Sequence, residues 1–425
     1  MGSTRPWFQT FFLGLGVYYL SIPALGADIT APYYFDSAQV LPKGVRTLRF
    51  NYLMGGANER FDSSGTSTLL GSSMNTGVSY REFVDGQDSP LEKGLLRGYL
   101  KQQGRELDSL AGETTGALNV EIDARVPILA WGMTDRWTMA LAVPMVTIRT
   151  HIDTGFRAHG DLQGITDKMV TEGQGFKALE MKKRTKSPIA ENGDKHGYNP
   201  LTPSSSYLQE TSLGDIRLIN KVRFLSHKQY ALAFLNELTL PTGRRVDIDR
   251  IIDVPTGDGQ FDLNFGVVGE YNMGPRTTLV SRLAYTWQAP DRVVRRIPQD
   301  SKALLSSDLD GQVLRKLGDG LYLSAGGSFE LNRQIKLNTQ YSFQYKERDE
   351  YEGNQYEAHR YDFLGQDSAQ SLHALQLGVN FSTAHLFLSK QFPIPFDFNL
   401  MSAIPLAGRN VIKDPTVIME LGLFF

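Results

Sequence analysis

A serine and a histidine that share one face of a strand offer the most direct chemistry in this sequence, because the imidazole can take the proton of the hydroxyl. None of the seven histidines stands two residues before a serine, and the reverse spacing occurs at Ser371 and His373. We expect the shared face of that pair to point away from the interior. The sequence therefore predicts no serine hydrolase, and no enzyme.

Other reactive patterns are missing as well. The chain has no cysteine, which excludes disulfides, thiolate catalysis and cysteine-bound metals. It contains no HExxH, P-loop, GxSxG or EF-hand pattern. The tripeptide PTG at 241–243 and 255–257 is interpreted as a tight glycine turn and not as a calcium loop. We expect no cofactor and no metal, and the near balance of 44 basic and 46 acidic residues indicates no nucleic-acid partner.

Charged residues instead recur at alternate positions within apolar stretches. Between 118 and 128, for example, leucine, valine, isoleucine and alanine alternate with polar residues. Such a period of two over about ten residues is typical of a strand with one dry and one wet face. It predicts strands near 45–54, 116–129, 136–150, 212–225, 229–242, 260–272, 276–289, 320–331, 334–347, 370–382, 385–402 and 416–425.

The connections between these strands alternate in length. Short ones fall at 131–136, 226–228, 273–275, 332–333 and 383–384, and long ones at 55–115, 151–211, 243–259, 290–319, 348–369 and 403–415. A β-sandwich has shorter strands, and its fold does not require short and long connections to alternate along the chain. We therefore predict an all-β fold: a transmembrane antiparallel β-barrel of about 12 strands with long extracellular loops and short periplasmic turns. Its location would be the outer membrane of a Gram-negative bacterium.

The wet faces of the strands would line the lumen of this barrel. Twelve strands lie between the eight that leave room only for side chains and the sixteen or more that leave an aqueous channel, so a narrow passage is expected. Alternatively, the charges satisfy one another and the lumen is shut. The predicted lumen-lining residues are Glu121, Asp123, Arg125, Asp215, Arg217, Lys221, Arg223, Glu237, Asp262, Glu270, Arg282, Glu330, Lys336 and Lys346.

The two ends of the sequence carry targeting patterns. Residues 1–26 combine Arg5, a short apolar run and a small-residue site ending in Ala24 and Gly26, which is typical of a secretory signal peptide. An uncleaved anchor is the alternative. Residues 27–44 would be a periplasmic segment and 45–425 the barrel. The last strand ends in Leu421, Leu423 and Phe425, which resemble the signal that barrel-assembly machinery recognises.

Aromatic residues and two loops complete the pattern. Trp131, Trp137, Trp287 and Tyr345 lie near strand ends, as an interfacial girdle requires. Residues 89–110 predict a helix with Leu91, Leu95, Tyr99, Leu107 and Leu110 on one face, either a lid over the pore or a brace between loops. The basic run FKALEMKKRTK in loop 151–211 is either a lipopolysaccharide contact or a solvated surface.

Between Leu213 and Pro290 the chain resembles a known family. The stretches LGDIRLINKVRFL, ALAFLNELTLPTGR and GDGQFDLNFGVVGEYNMGPRTTLVSRLAYTW, together with VLPKGVRTLRFNY near the start, are similar to outer-membrane transporter-like barrels associated with phenol meta-pathway degradation. That family is distantly similar to the long-chain fatty-acid transporters. Their Asn-Pro-Ala element and long plug are absent here.

These observations favour a monomeric outer-membrane barrel that passes small, hydrophobic or aromatic solutes by passive diffusion, in contact with outer-membrane lipid and lipopolysaccharide. The alternative is a structural or adhesive barrel with a closed lumen. The sequence identifies neither the solute nor the direction of transport.

The predicted topology can be tested with single cysteines, because the native chain has none. We expect Lys183→Cys, in a long loop, to react with a membrane-impermeant maleimide on intact cells, and His227→Cys, in a short turn, to react only after lysis. The opposite pattern would invert the barrel.

Overall fold

The fold is described by a computed structural model of the chain. It describes residues 37–72, 75, 77–85, 90–159, 197–198, 205–250, 253–300 and 306–425. The predicted signal peptide and the basic run at 176–186 lie outside these residues.

Twelve antiparallel strands close into one barrel, because β1 pairs with β2 on one edge and with β12 on the other. β3 and β4 are each bent into two halves, at 143–144 and 214–215. The strands are β1 Arg46–Ala57, β2 Leu110–Thr134, β3 Trp137–Ala142 with Met145–Ala158, β4 Ser205–Leu213 with Ile216–Ser226, β5 Tyr230–Leu240, β6 Asp262–Asn272, β7 Thr277–Gln288, β8 Gly320–Glu330, β9 Ile335–Lys346, β10 Gln370–Ser382, β11 Phe396–Arg409 and β12 Thr416–Phe424. The predicted all-β fold, an antiparallel barrel of about 12 strands, is confirmed.

The two faces of the barrel wall differ in polarity. In the β1–β12 pair, Phe50 lies opposite Leu421 and both are exposed on the outside, at 46% and 39%. Their neighbours Asn51 and Glu420 lie opposite each other on the inside, where 2% and 1% of each is exposed. Such an outer belt of exposed apolar side chains on a closed barrel is the pattern of an outer-membrane barrel.

Four short connections lie at one end of the barrel, here called the turn end: 135–136, 227–229, 273–276 and 331–334. A fifth connection was predicted wrongly. The expected turn at 383–384 is the longer segment 383–395, and β11 begins at Phe396. Pro393 and Pro395 have no N–H to donate to a β-ladder, so pairing starts only after the second proline.

The opposite end, here called the loop end, carries the remaining structure. α1 (Tyr80–Asp85) and α2 (Pro90–Gln102) lie there, as does α3 (Ala358–Asp362), while α4 (Ala384–Leu388) lies at the turn end. No helix among the described residues has the length and apolar character needed to cross a membrane. Small sheets cover the loop end, formed by the strands Asp291–Arg296, Leu309–Lys316 and Glu350–Glu352 and by Glu59–Phe61, Ser67–Leu69 and Val411–Ile412; Gly77–Ser79 pairs with β2.

The C-terminal strand lies at the seam where the barrel closes. The backbone N–H of Phe425 donates to the carbonyl of Arg46 and the N–H of Arg46 donates to the carbonyl of Phe425, both at 2.9 Å. Leu421 and Phe425 are exposed on the outside. Recognition of this tail by assembly machinery stays a prediction.

A buried polar network joins four strands on the inner side of this seam. Arg49 contacts Glu420 and lies 3.5 Å from Asp397. The side-chain amide of Asn399 donates to Glu420 at 2.8 Å, and the amide of Asn380 donates to Asn399 at 2.8 Å. The network therefore links β1, β12, β11 and β10.

Replacing Arg49 should destabilise the barrel, because Arg49→Met leaves two buried carboxylates without their cation. Breaking a buried pair in this way costs about 3–5 kcal/mol. Urea unfolding in lipid vesicles, followed by the migration of folded and heated protein on gels, measures the loss. Lys413→Met, which removes an exposed ion pair with Glu59, is the control and should change little. Equal stability of the Arg49 variant and the control would contradict the role of the network.

Candidate functional site

A cavity of about 1120 Å³ occupies the turn-end half of the lumen. Its wall combines uncharged polar side chains such as Gln340, Gln376 and Asn380 with apolar ones such as Met401 and Ile418. These residues face inward because they alternate with the exposed belt residues of β9 to β12. The interior is therefore hollow at this end.

The N-terminal segment, residues 37–45, lies along one side of this cavity. The Ser37 hydroxyl and the Gln39 side-chain amide donate to the two carboxylate oxygens of Glu270, at 3.1 and 3.2 Å. The N–H of Leu41 donates to the Thr138 hydroxyl at 2.8 Å. A side chain on Gly132 would come within 2.1 Å of the carbonyl oxygen of Pro42, so glycine permits this close approach. The segment narrows the mouth at the turn end.

Strand pairing places most of the predicted lumen-lining residues on the inner face. In β4 and β5, Arg217 and Glu237 point inward, with 3.3 Å between Arg217 Nη1 and Glu237 Oε1. Asp215 lies at the bend of β4 and accepts a hydrogen bond from the N–H of Gly243 at 2.8 Å. The others on the inner face are Lys221, Arg223, Asp262, Glu270, Arg282, Glu330, Lys336 and Lys346. Whether they contribute to passage stays a prediction.

Three predicted lumen residues were assigned to the wrong face. Glu121, Asp123 and Arg125 lie on the outside of β2, where Arg149 donates to Asp123 at 2.6 Å. Their apolar neighbours Ile122 and Ala124 face inward and are each 2% exposed. The prediction failed because the apolar side of β2 packs inward against the loop 58–109 over this stretch, which still pairs with β1 in the barrel wall. On this part of β2 the outer face carries the charged side chains, and the apolar side chains of the inner face are packed against other apolar residues.

The packed inner face belongs to an apolar cap at the loop end. Its wall consists of Val120, Ile122, Ala124, Val126 and Ile128 of β2 with Val146 and Ile148 of β3, each at most 5% exposed. The side chains that cover the wall come from the loop 58–109. They include Leu70, Val78, Val84, Leu96, Tyr99 and Leu100.

The face of α2 that packs on the wall differs from the predicted one. Leu96, Tyr99 and Leu100, at spacings of three and four residues, are buried at 6% exposure or less. Leu91 and Leu95 were expected on that face but are 72% and 48% exposed. The helical period is compatible with either of these two faces being buried, and the position of the barrel wall determines which one is.

Charged residues form a collar on the inner side of β4 to β7. The collar consists of Asp215, Arg217, Glu237, Asp258, Asp262 and Arg282, contributed by β4 to β7 and the loop before β6. Arg282 lies 5.0 Å from the centre of the Tyr322 ring and 3.3 Å from the amide oxygen of Asn264. With four carboxylates and two guanidinium groups, the collar is acidic.

The two PTG turns position one side of the collar. The N–H groups of Thr256 and Gly257 donate to the carbonyl of Arg244 at 3.1 Å, which brings the second turn against the first. A side chain on Gly257 would come within 2.5 Å of Asp215, so only glycine fits there. The interpretation of both tripeptides as glycine turns fits this arrangement.

Asp258 was not predicted as a site residue from the sequence, although it lies inside the stretch GDGQFD. Burial raises the pKa of the Asp258 carboxyl, and the Arg315 guanidinium opposes that shift. Arg315 is 1% exposed; it donates to the carbonyl of Asp258 at 2.8 Å and pairs with Asp291 at 2.8 Å. The repeated glycine and aspartate in this stretch were the sequence signal from which Asp258 could have been predicted. Among the described residues, no group of three histidine, aspartate or glutamate side chains is arranged to hold a metal.

Any ion current through the barrel should be cation-selective and lose that preference as the pH falls. A raised pKa means that Asp258 loses its charge at a higher pH than an ordinary aspartate does, which leaves the collar less acidic. Asp258→Asn should lower the cation preference at neutral pH and flatten the pH dependence. Reversal potentials in planar bilayers under a salt gradient measure this. Glu121→Gln, on the outer face, is the matched control, and equal behaviour of the two variants would rule out the collar as the filter.

No protein-family model and no curated protein matches the sequence. Solved structures with a distant likeness include an outer membrane channel from Pseudomonas putida F1 (11% identity, 92% of this chain, 98% of that chain, TM-score 0.49). Another is a Pseudomonas aeruginosa FadL homologue (9% identity, 92% of this chain, 92% of that chain, TM-score 0.34). A third is the Ralstonia pickettii toluene transporter TbuX (10% identity, 91% of this chain, 90% of that chain, TM-score 0.33). All three TM-scores lie below 0.5, so the assignment of the fold depends on the strand pairing of this chain itself.

Proposed function

We propose that the protein is an outer-membrane channel through which small hydrophobic or aromatic molecules pass by passive diffusion. One observation carries the proposal: the inner face of β2 is apolar at five consecutive inward positions, from Val120 to Ile128. A water-filled porin has a polar interior. An apolar wall would lower the free energy of an apolar solute relative to water at the place where the solute enters.

The proposed route has three parts. A solute would first displace or pass between the cap side chains Leu96, Tyr99 and Leu100 and the wall. It would then pass the charged collar, which would be the polar step of the route. The turn-end cavity of about 1120 Å³ would receive it, since that volume exceeds the roughly 300 Å³ at the lower end of the range for small-molecule pockets. Diffusion along this route needs no coupled energy source.

A structural or adhesive barrel with a shut lumen is the second candidate. The observation that favours it is the tight packing of the cap, where Leu100 is 0% and Leu96 4% exposed. The ion pairs of the collar would add to the closure. In that case the loop-end sheets would be the functional surface.

Uptake of labelled aromatic compounds and alkanes by cells with and without the protein tests the proposal. Ala124→Asp places a carboxylate on the apolar wall and should reduce uptake at least about tenfold, which corresponds to a barrier increase of about 1.4 kcal/mol. Arg125→Asp is the matched control, because the neighbouring residue carries the same new group on the outside.

Both variants must be shown to fold, by their altered migration on gels before and after heating. Equal uptake by cells with and without a folded wild-type barrel would refute the channel. Absence of conductance in bilayers would then favour the structural candidate.

A further inference from the structure

Ser371 and His373 lie on the outer face of β10, where they take no part in the lumen. The residues of β10 alternate between the two faces of the barrel wall. Leu372 and Ala374 are buried on the inside, whereas Leu377, an even number of positions from the pair, is exposed in the outer belt. The pair therefore faces the surroundings of the barrel.

The height of the pair on the wall is close to the loop-end edge of the apolar belt. His373 lies nine positions from the end of β10 at Ser382, which is at the turn end. A strand that rises about 3.3 Å per residue and is tilted by about 40° gains roughly 2.5 Å of height per residue, which places His373 roughly 23 Å above that end. The apolar band of such barrels is about 25 Å tall. Tyr345, which lies opposite Ser371, is exposed at this edge, as an interfacial aromatic residue requires.

Three hydrogen-bond donors meet at this place. The Tyr341 hydroxyl donates to Nδ1 of His373 at 2.6 Å, which leaves the ring hydrogen on Nε2. The ring of Phe343 lies 4.8 Å from the imidazole, centre to centre, and restricts its rotation. Arg409 of β11 is exposed and lies directly opposite Ser371, so their Cβ atoms are about 5 Å apart on one face. Among the described residues, Arg409 pairs with no carboxylate.

The chemistry of these groups indicates what they bind. An imidazole N–H, a serine hydroxyl and a guanidinium group all donate, and a guanidinium matches the geometry of a phosphate. Their position at the edge of the belt selects a phosphate that is carried by a lipid. The long loops at this end are predicted to be extracellular, and the leaflet on that side of an outer membrane contains lipopolysaccharide, whose lipid A is phosphorylated.

We infer that Ser371, His373 and Arg409 form a binding site for a phosphate group of lipopolysaccharide at the loop end of the barrel. Arg409 supplies the charge, and Nε2–H of His373 and the Ser371 hydroxyl supply further hydrogen bonds. The bound lipid holds β10 and β11 at a fixed height in the membrane. This role depends on the barrel lying in an outer membrane with its loop end outward, but not on transport.

Binding of lipid A to the purified barrel in detergent tests the site. Native mass spectrometry compares the affinity for bisphosphorylated lipid A with that for a dephosphorylated lipid A that has the same acyl chains. We expect the wild-type protein to prefer the phosphorylated form by at least about fivefold, because charge-assisted hydrogen bonds to the phosphate are lost with it. Arg409→Gln should abolish most of this preference. His373→Phe, which keeps an aromatic ring beside Phe343, should reduce it as well.

Arg276→Gln is the matched control, because it removes an exposed arginine from the turn end of the same barrel. It should leave the preference for the phosphorylated lipid unchanged. Gel migration before and after heating confirms that every variant is folded.

Three outcomes would overturn the inference. Equal affinity of the wild-type protein for the two lipids would show that phosphate is not recognised. A preference that survives in both Arg409→Gln and His373→Phe would place the phosphate elsewhere on the barrel. Displacement of lipid A by an equal concentration of inorganic phosphate would show a site for a free anion and not for a lipid. None of these measurements involves uptake, so the failure of the lipid site and the failure of the channel can be told apart.

Discussion

Closure of the β-ladder is the constraint on which the rest of this structure depends. Backbone N–H and C=O groups in hydrocarbon find no water, so each membrane strand must pair on both edges. Here the pairing of β1 with β12 closes the ring, and the reciprocal hydrogen bonds between Arg46 and Phe425 extend it to the end of the chain. Once the ring is closed, every strand has one face toward lipid and one toward the lumen.

The interior that results has three parts that differ in polarity. The cap at the loop end is apolar, the collar is acidic, and the turn-end cavity is lined by amides and aliphatic groups. A solute of low polarity would find favourable contacts in the first and last of these parts. The collar would set the barrier, because its charges are held in a confined space where water can screen them little.

Much of the wall could be predicted from residue alternation, and the departures have separate physical causes. The twelve strands and the inward position of Arg217, Asp262 and Arg282 follow from the period of two. Glu121 was placed on the wrong face because alternation does not reveal whether the apolar side of a strand faces lipid or an apolar cluster inside the barrel. Residues 385–395 were predicted as part of a strand because they are apolar, although their prolines limit pairing.

The sequence by itself determined the architecture, because residue alternation and loop spacing are local properties of the chain. It also contained the glycines of the PTG turns, but it did not show that these glycines let the two turns pack against each other and against Asp215. Only the tertiary structure decided which charges meet in the collar and which face of α2 packs on the wall. Those contacts join residues far apart in the chain, such as Asp215 with Gly243 and Arg49 with Glu420, and their distances depend on how the whole ring closes.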